Sequence, residues 1–207
     1  MVGVLSRLPR APMIIRERSL RSCAVREDVP GWLQQERDKW TNRGQSRPEF
    51  AVEPGTGQES AWDYPRPPAV IPDERTVEVH GADGRMVART ERSIRVLETS
   101  HPPSFYLPPD AVLDGALVPT AGSSHCEWKG QAEYVAQAGT TDPVGWRYPA
   151  PYPEFADHAG WVSFYPDRVR CWVDGEAVRA QAGGFYGGWV TDDVVGPFKG
   201  EPGTSGW

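Results

Sequence analysis

Lysine is nearly missing from this chain: Lys39, Lys129 and Lys199 stand against 19 arginines. That ratio is what a GC-rich coding sequence gives, so each lysine runs against the compositional tide. Cysteine is as scarce, with Cys23, Cys126 and Cys171 and no C-x-x-C. This excludes a disulfide framework and points to reduced thiols in a reducing, cytoplasmic compartment. Long apolar runs are absent too; no stretch nears the ~18 residues that a membrane-spanning helix needs, so a membrane partner is not expected. The four histidines (His80, His101, His125, His158) form no H-x-H or H-x-x-x-H pair, so the expected metal and cofactor complement is none. The nucleophile elbow G-x-S-x-G, the P-loop and G-x-G-x-x-G are missing as well.

What the 207 residues do hold is glycine, proline and aromatics: 22 Gly, 21 Pro, nine Trp, seven Tyr and six Phe. So many aromatics argue for a packed chain, one domain with extra segments, rather than a disordered one. Net charge is −6, and it is unevenly placed. Residues 1–26 carry six arginines against Glu17, and the remainder is strongly acidic. An acidic body does not attract phosphate backbones, which excludes nucleic acid as a main partner. The basic start has neither the apolar run nor the small-residue cleavage site of a secretory signal, and residues 1–28 read as a disordered basic head.

Residues 29–72 read as a helix followed by a proline-rich strap. From Val29 to about Arg43, Trp32, Leu33, Glu36 and Trp40 recur at helical spacing behind Pro30, and Gly44 is a stop signal. The strap carries six prolines between Pro48 and Pro72, excluding helix and central strand, with Trp62 and Tyr64 to pin it down. Residues 73–182 alternate with period two. A hairpin is expected over 76–80 and 85–89, with further strands over 93–98, 104–107, 132–137, 161–165 and 169–173, and a two-residue turn at Asp174-Gly175. The fold class is therefore all-β with minor α, a small antiparallel barrel or sandwich. Residues 183–207, with eight glycines, read as a second aromatic strap.

Two clusters carry candidate chemistry. In the strand ending at Glu98, alternation puts Ile94, Val96 and Glu98 on one face, aiming a carboxylate into the interior as an acid or base. The competing reading ends the strand before Glu98 and bonds the side chain to a loop. His101, stiffened by Pro102 and Pro103, is suited to proton transfer with Glu98 or simply caps a turn. In His125-Cys126-Glu127-Trp128-Lys129, alternation groups Cys126 with Trp128 and sets His125, Glu127 and Lys129 opposite. Lys129 is either an ion-pair partner of a carboxylate such as Glu98, or an amine that holds an acidic ligand or forms a Schiff base if burial lowers its pKa. Cys126 is either a nucleophile activated by His125 or Lys129 or, since adjacent residues rarely form a productive dyad, a buried thiol in the binding pocket. Trp128, Trp146, Tyr148, Tyr165, Tyr186 and Trp189 either line a ligand pocket or fasten the straps.

Several separate motifs carry a resemblance: Ser93 to Pro103, Cys126 to Gly130, Trp146 to Pro149 and Phe164 to Val169. They resemble the bacterial domain-of-unknown-function family numbered 427, with Glu59 to Pro68 and the Gly183 to Trp207 tail similar to flanks of its longer members, so that the likeness spans roughly 31–207. The resemblance implies a β-tent-like fold, similar to methionine sulfoxide reductase B and the thalidomide-binding domain of cereblon. Those relatives bind zinc through paired C-x-x-C motifs absent here, so zinc and sulfoxide chemistry are not implied. An older nucleotidyltransferase-like label requires a spaced acidic pair that does not follow Gly122-Ser123-Ser124. No residue role follows from the family.

Three functional readings remain open: a cofactor-independent enzyme using Glu98, His101 and Lys129 on a small organic molecule, a non-catalytic module holding a small ligand or peptide in an aromatic cage, and a structural protein. Oligomeric state is not readable.

Overall fold

The computed structural model describes residues 30–207. The basic head and Cys23 lie outside the described residues.

The helix α1 (Gly31–Asp38) is shorter than its sequence pattern, and Leu33 is its one buried side chain. The Arg43 guanidinium explains the early end. It donates to the carbonyls of Arg37 (3.0 Å) and Trp40 (3.1 Å), supplying partners that a further helical turn would have given. Trp40 is thereby freed to swing toward the β-domain. Gly44 turns the chain with φ +76°, and a Cβ there would lie 2.4 Å from the Tyr64 carbonyl oxygen.

The proline-rich strap is extended, as its composition requires, with a single 3₁₀ turn over Ala61–Asp63. Its strand β1 (Glu59–Ser60) precedes that turn, and β2 (Ala69–Asp73) follows it. Next come the hairpin strands β3 (Val77–His80) and β4 (Met86–Thr90), then β5 (Ser93–Leu97) and β6 (Ser104–Tyr106). A long hairpin pairs β7 (Leu117–Cys126) with β8 (Gly130–Gln137), and β9 (Pro143–Arg147) and β10 (Val162–Phe164) follow. The last strands are short: β11 (Arg170–Val173), β12 (Glu176–Ala177), β13 (Arg179–Ala180), β14 (Trp189–Val190) and β15 (Val194–Val195).

The chain is all-β with minor α, and its large sheets are antiparallel. Their orders are β2-β5-β6, β10-β9-β8-β7 and β12-β11-β3-β4. Leu107 and Val162 exchange both backbone bonds at 2.9 Å and stitch the first sheet to the second. Among the described residues the ladders form five sheets and no closed barrel. The two straps meet in the parallel pair β1–β15, and the Trp62 indole donates to the Pro197 carbonyl at 3.0 Å. Pro72 is accommodated because β2 is an edge strand, where a missing N–H breaks no ladder.

The strands that the period-two pattern missed include β7 and β9. β7 is an edge strand with an irregular register between Pro119 and Ser123 and no fully buried side chain. β9 opens on Pro143 and includes Gly145, where a Cβ would stand 2.4 Å from the Ser163 carbonyl oxygen. At Asp174-Gly175 both φ angles are positive (48° and 79°), as a type I′ hairpin turn needs.

The core lies between the sheets. Val77 and Val79 point inward from β3, while Trp189 is fully buried, stacks on Phe105 at 4.9 Å and donates to the Phe164 carbonyl at 3.0 Å. Strand β5 is buried on both faces. Ile94 and Val96 meet an aromatic cluster, whereas Arg95 ion-pairs with Glu59 and Leu97 packs under the first strap.

Candidate functional site

A cavity of about 230 Å³ opens against the Ile94–Val96 face of β5. Glu98, His101, Cys126, Lys129, Trp146, Tyr148, Tyr165 and Tyr186 all line it. Two aromatic positions read as pocket residues lie elsewhere. Trp189 is committed to the core, and Trp128 turns into a separate, smaller cavity beside Phe155 with the Arg37 guanidinium 5.0 Å from its ring centre.

The strand reading of 125–129 needs correction for the same reason. Cys126 pairs with Gly130, so Glu127-Trp128-Lys129 is a hairpin loop, and Gly130 takes φ +97° at its exit. A loop does not alternate. Cys126 and Lys129 therefore line one cavity while Trp128 leaves it. The loop is held from outside by the residues near α1: Arg37 donates to the Glu127 carbonyl and the Trp40 indole to the Glu127 carboxylate, each at 2.8 Å.

Glu98 joins both of its sequence readings. Strand β5 stops one residue earlier, yet the side chain continues the inward face and reaches the cavity. One oxygen, Oε1, accepts from the Arg66 Nε at 3.0 Å, and the Arg66 side chain is completely buried. Burial opposes the Glu98 charge, but the cations Lys129 and Arg66, joined by His101 once acid pH protonates its ring, hold the carboxyl below the usual range, so it is ionised at neutral pH.

His101 sits one turn on, behind Ser100, whose φ of +68° redirects the chain. Gln181 fixes its tautomer. The Gln181 carbonyl oxygen accepts from the Gly188 N–H (3.1 Å), and its NH₂ donates to the Lys199 carbonyl (2.6 Å) and to His101 Nδ1 (3.0 Å). Nδ1 is thus an acceptor and Nε2 carries the proton. Burial pushes His101 down to about 4, with Lys199, Arg66 and Lys129 adding to the fall against the pull of Glu98. The ring is a neutral N–H donor at physiological pH, not a titrating shuttle.

A pH dependence follows. Unfolded histidine takes a proton near 6.5 and folded His101 only near 4, so folding stability drops as pH falls through that window and levels off below it. The cost is at most ~3 kcal/mol. Urea unfolding across this range should show the slope in the wild type and a shallower one in His101→Gln; equal slopes would remove the assignment.

Lys129 departs from the ion-pair reading and from the lowered pKa that a Schiff base would need. Glu98 is bonded to Arg66, and among the described residues Lys129 makes no direct ion pair. Burial works against its ammonium, but Cys126 and Tyr106, which act only when ionised at high pH, and the carboxylates of Glu98 and Glu127 raise its pKa above the ordinary value, so it stays charged. Its nitrogen lies 5.9 Å from the Tyr148 ring centre. Burial raises Cys126, leaving it a thiol. Tyr106 accepts from the Trp146 indole at 3.0 Å, and its phenol and that of Tyr148 are both pushed up by burial.

Sequence reasoning missed Trp40, Arg66, Gln181 and Lys199 as residues of this site. Only Lys199 gave a signal, as one of three lysines. It is buried, its nitrogen sits 3.7 Å from the Trp40 ring centre, and it donates to the Trp207 backbone oxygen at 3.1 Å. Burial and then Arg66 lower it to about 8, against Glu98 and Glu127.

Among the described residues no group of three His, Cys, Asp or Glu side chains gathers to hold a metal ion, and no helix is long and apolar enough to cross a membrane. No curated protein matches this chain. A family model described as a domain of unknown function (DUF427) matches residues 69–175, a little over half of the sequence. That span includes Glu98, His101 and Lys129; the tract from Glu59 to Pro68 and the tail from Gly183 fall outside it.

Proposed function

The chain belongs to the DUF427 family, whose description carries no activity, and from the chemistry of the pocket we propose a cofactor-independent enzyme that moves a proton on a small organic acid. One observation carries this reading: a buried ammonium, Lys129, that among the described residues has no carboxylate at ion-pair distance lines the same cavity as an ionised carboxylate and a neutral imidazole N–H. A buried cation left unpaired is costly, so the arrangement favours a ligand that brings the missing anion.

The cavity has room for roughly eight waters, or one small molecule. In the proposed mechanism Lys129 receives the substrate carboxylate. His101 Nε2–H donates to the oxygen on which charge develops, as neutral imidazoles do when they polarise a carbonyl. Glu98, with Oε1 engaged by Arg66, takes the proton on its other oxygen. A carboxylate with a lowered pKa is a weak base, so the substrate must be strongly acidified at carbon, as beside a carbonyl. Trp146, Tyr148, Tyr165 and Tyr186 supply the walls. The partner is thus a small molecule, with no role for nucleic acid or a membrane. A cytoplasmic setting is part of the reading, supported by unpaired thiols at Cys126 and Cys171.

The aromatic walls also favour a second reading, a module that binds without chemistry. Pyruvate and acetoacetate in D₂O separate the two. The proposal expects binding and enzyme-dependent exchange of the carbon-bound protons, followed by NMR. Binding without exchange moves the protein to the second reading, and absence of both overturns the anionic-substrate assignment.

A further inference from the structure

We propose that the substrate is an α-keto acid with an aromatic ring on its β-carbon: its carboxylate goes to Lys129, and its ring to the Phe185 and Tyr186 side chains that the loop 183–188 holds at the cavity. The inference deepens the proposed function and rests on it for the carboxylate end and for the proton that moves.

The loop Gly183-Gly184-Phe185-Tyr186-Gly187-Gly188 is fixed at its base and open at its tip. Three close approaches that glycine permits anchor the base. A Cβ at Gly183 would lie 2.6 Å from the Gly200 carbonyl oxygen, one at Gly187 2.2 Å from the Trp146 ring, and one at Gly188 2.6 Å from the Pro102 ring. At the tip, Gly184 has φ +66° and, among the described residues, nothing within 4 Å of where its Cβ would be. The Phe185 N–H bonds back to the Gly183 carbonyl at 2.8 Å, and two rings follow in succession. Tyr186 makes a T-shaped contact with His101 at 4.8 Å, and Phe185 makes another with Tyr186 at 5.1 Å.

Phe185 lines the cavity yet is 67% exposed, so most of an apolar ring stands in water at the mouth. A large exposed apolar group beside a pocket marks where a ligand adds cover. An aromatic ring does this best, because aromatic pairs gain from offset stacking and edge contacts beyond the area they bury. Trp146, whose indole donates to the Tyr106 hydroxyl at 3.0 Å and which is tilted against Tyr165 at 4.6 Å, is a second rigid aromatic wall. Pyruvate has no group for either wall.

The chemistry asks for the same class. Glu98 is a weak base, and a carbon set between a carbonyl and an aromatic ring is acidified from both sides. Glu98 takes the proton from that carbon, the C–H electron pair becomes a C=C bond, and the C=O π pair moves to the oxygen that His101 Nε2–H bonds. Return of the proton to oxygen gives the enol, and return to carbon gives the starting acid. Nothing is oxidised or reduced, and no other reactant is consumed.

Phenylpyruvate against pyruvate tests this on the full chain, with binding read by NMR titration and exchange of the carbon-bound protons read in D₂O above the uncatalysed rate. Half-saturation should come at a phenylpyruvate concentration about tenfold or more below that for pyruvate. Phe185→Ala, a surface change that spares the fold, should narrow that ratio about fivefold, and Phe185→Tyr should keep it. Equal half-saturation by phenylpyruvate and pyruvate, or by phenylpyruvate and cyclohexylpyruvate, overturns the aromatic substrate. A ratio untouched by Phe185→Ala overturns the loop as its reader. In either case exchange with pyruvate leaves the proton-transfer reading standing. Tight binding of phenylpyruvate without exchange supports the aromatic acid and removes the proton transfer. Absence of binding by both acids removes both.

Discussion

Glu98→Gln is expected to cut turnover of the cognate acid by a hundredfold or more, the ordinary weight of a positioned acid–base group. The amide keeps the shape and can still accept from Arg66 Nε, so the melting temperature should move by only a few degrees. What it removes is the capacity to take a proton. Lys129→Ala should be as damaging by a different route. Without the ammonium the substrate carboxylate has no partner, so KM rises with kcat less affected, whereas Glu98→Gln acts on kcat. Rate measurements on the two variants, with unfolding curves alongside, distinguish the roles. Wild-type turnover in either one rejects its assignment.

The β-domain was legible where one face of a strand is buried and the other is not. Val77 and Val79 against Glu78 and His80 gave β3, and Asp174-Gly175 gave a turn because both positions require positive φ. β7 was not legible because an edge strand that buries little has no reason to alternate. The helix was overread because Arg43, whose role as a cap depends on a turn in the chain, looks in sequence like another helix former. Within the site, Glu98 and Lys129 were visible as a carboxylate on an inward face and a rare residue. Trp128 was misplaced because the spacing of Cys126 and Gly130 does not declare a loop.

Arg66, Gln181, Lys199 and Trp40 reach the site from outside the segment that matches the family model. No periodicity could have found them. Long-range contacts between the two straps and the domain decide their positions, and Arg66 lies between two prolines among 19 arginines. The matched segment thus carries the acid, the imidazole and the unpaired ammonium, while the flanks supply the guanidinium, the orienting amide and the second amine.

Arg66→Met tests how far the acid depends on a flank. The Arg66 side chain donates to Glu98 and to the backbone oxygens of Asn42 (3.1 Å), Thr99 (2.9 Å) and Trp207 (3.3 Å), with its carbon centre 4.6 Å from the Trp40 ring centre. Methionine fills much of the same volume but answers none of those acceptors. The expected loss is ~3–5 kcal/mol, that of a buried pair broken on one side. In the wild type the lowered Glu98 pKa contributes stability above the unfolded value of 4.5, which is lost as pH falls through the folded value. With Arg66 gone the Glu98 pKa should rise, so that contribution fades and the acid limb of any activity profile moves upward. The double variant Arg66→Met/Glu98→Gln isolates the charge. Removing the stranded carboxylate should restore part of the stability, giving a coupling energy of ~1–3 kcal/mol in urea unfolding. Strict additivity would mean that the backbone oxygens, and not Glu98, are what Arg66 holds.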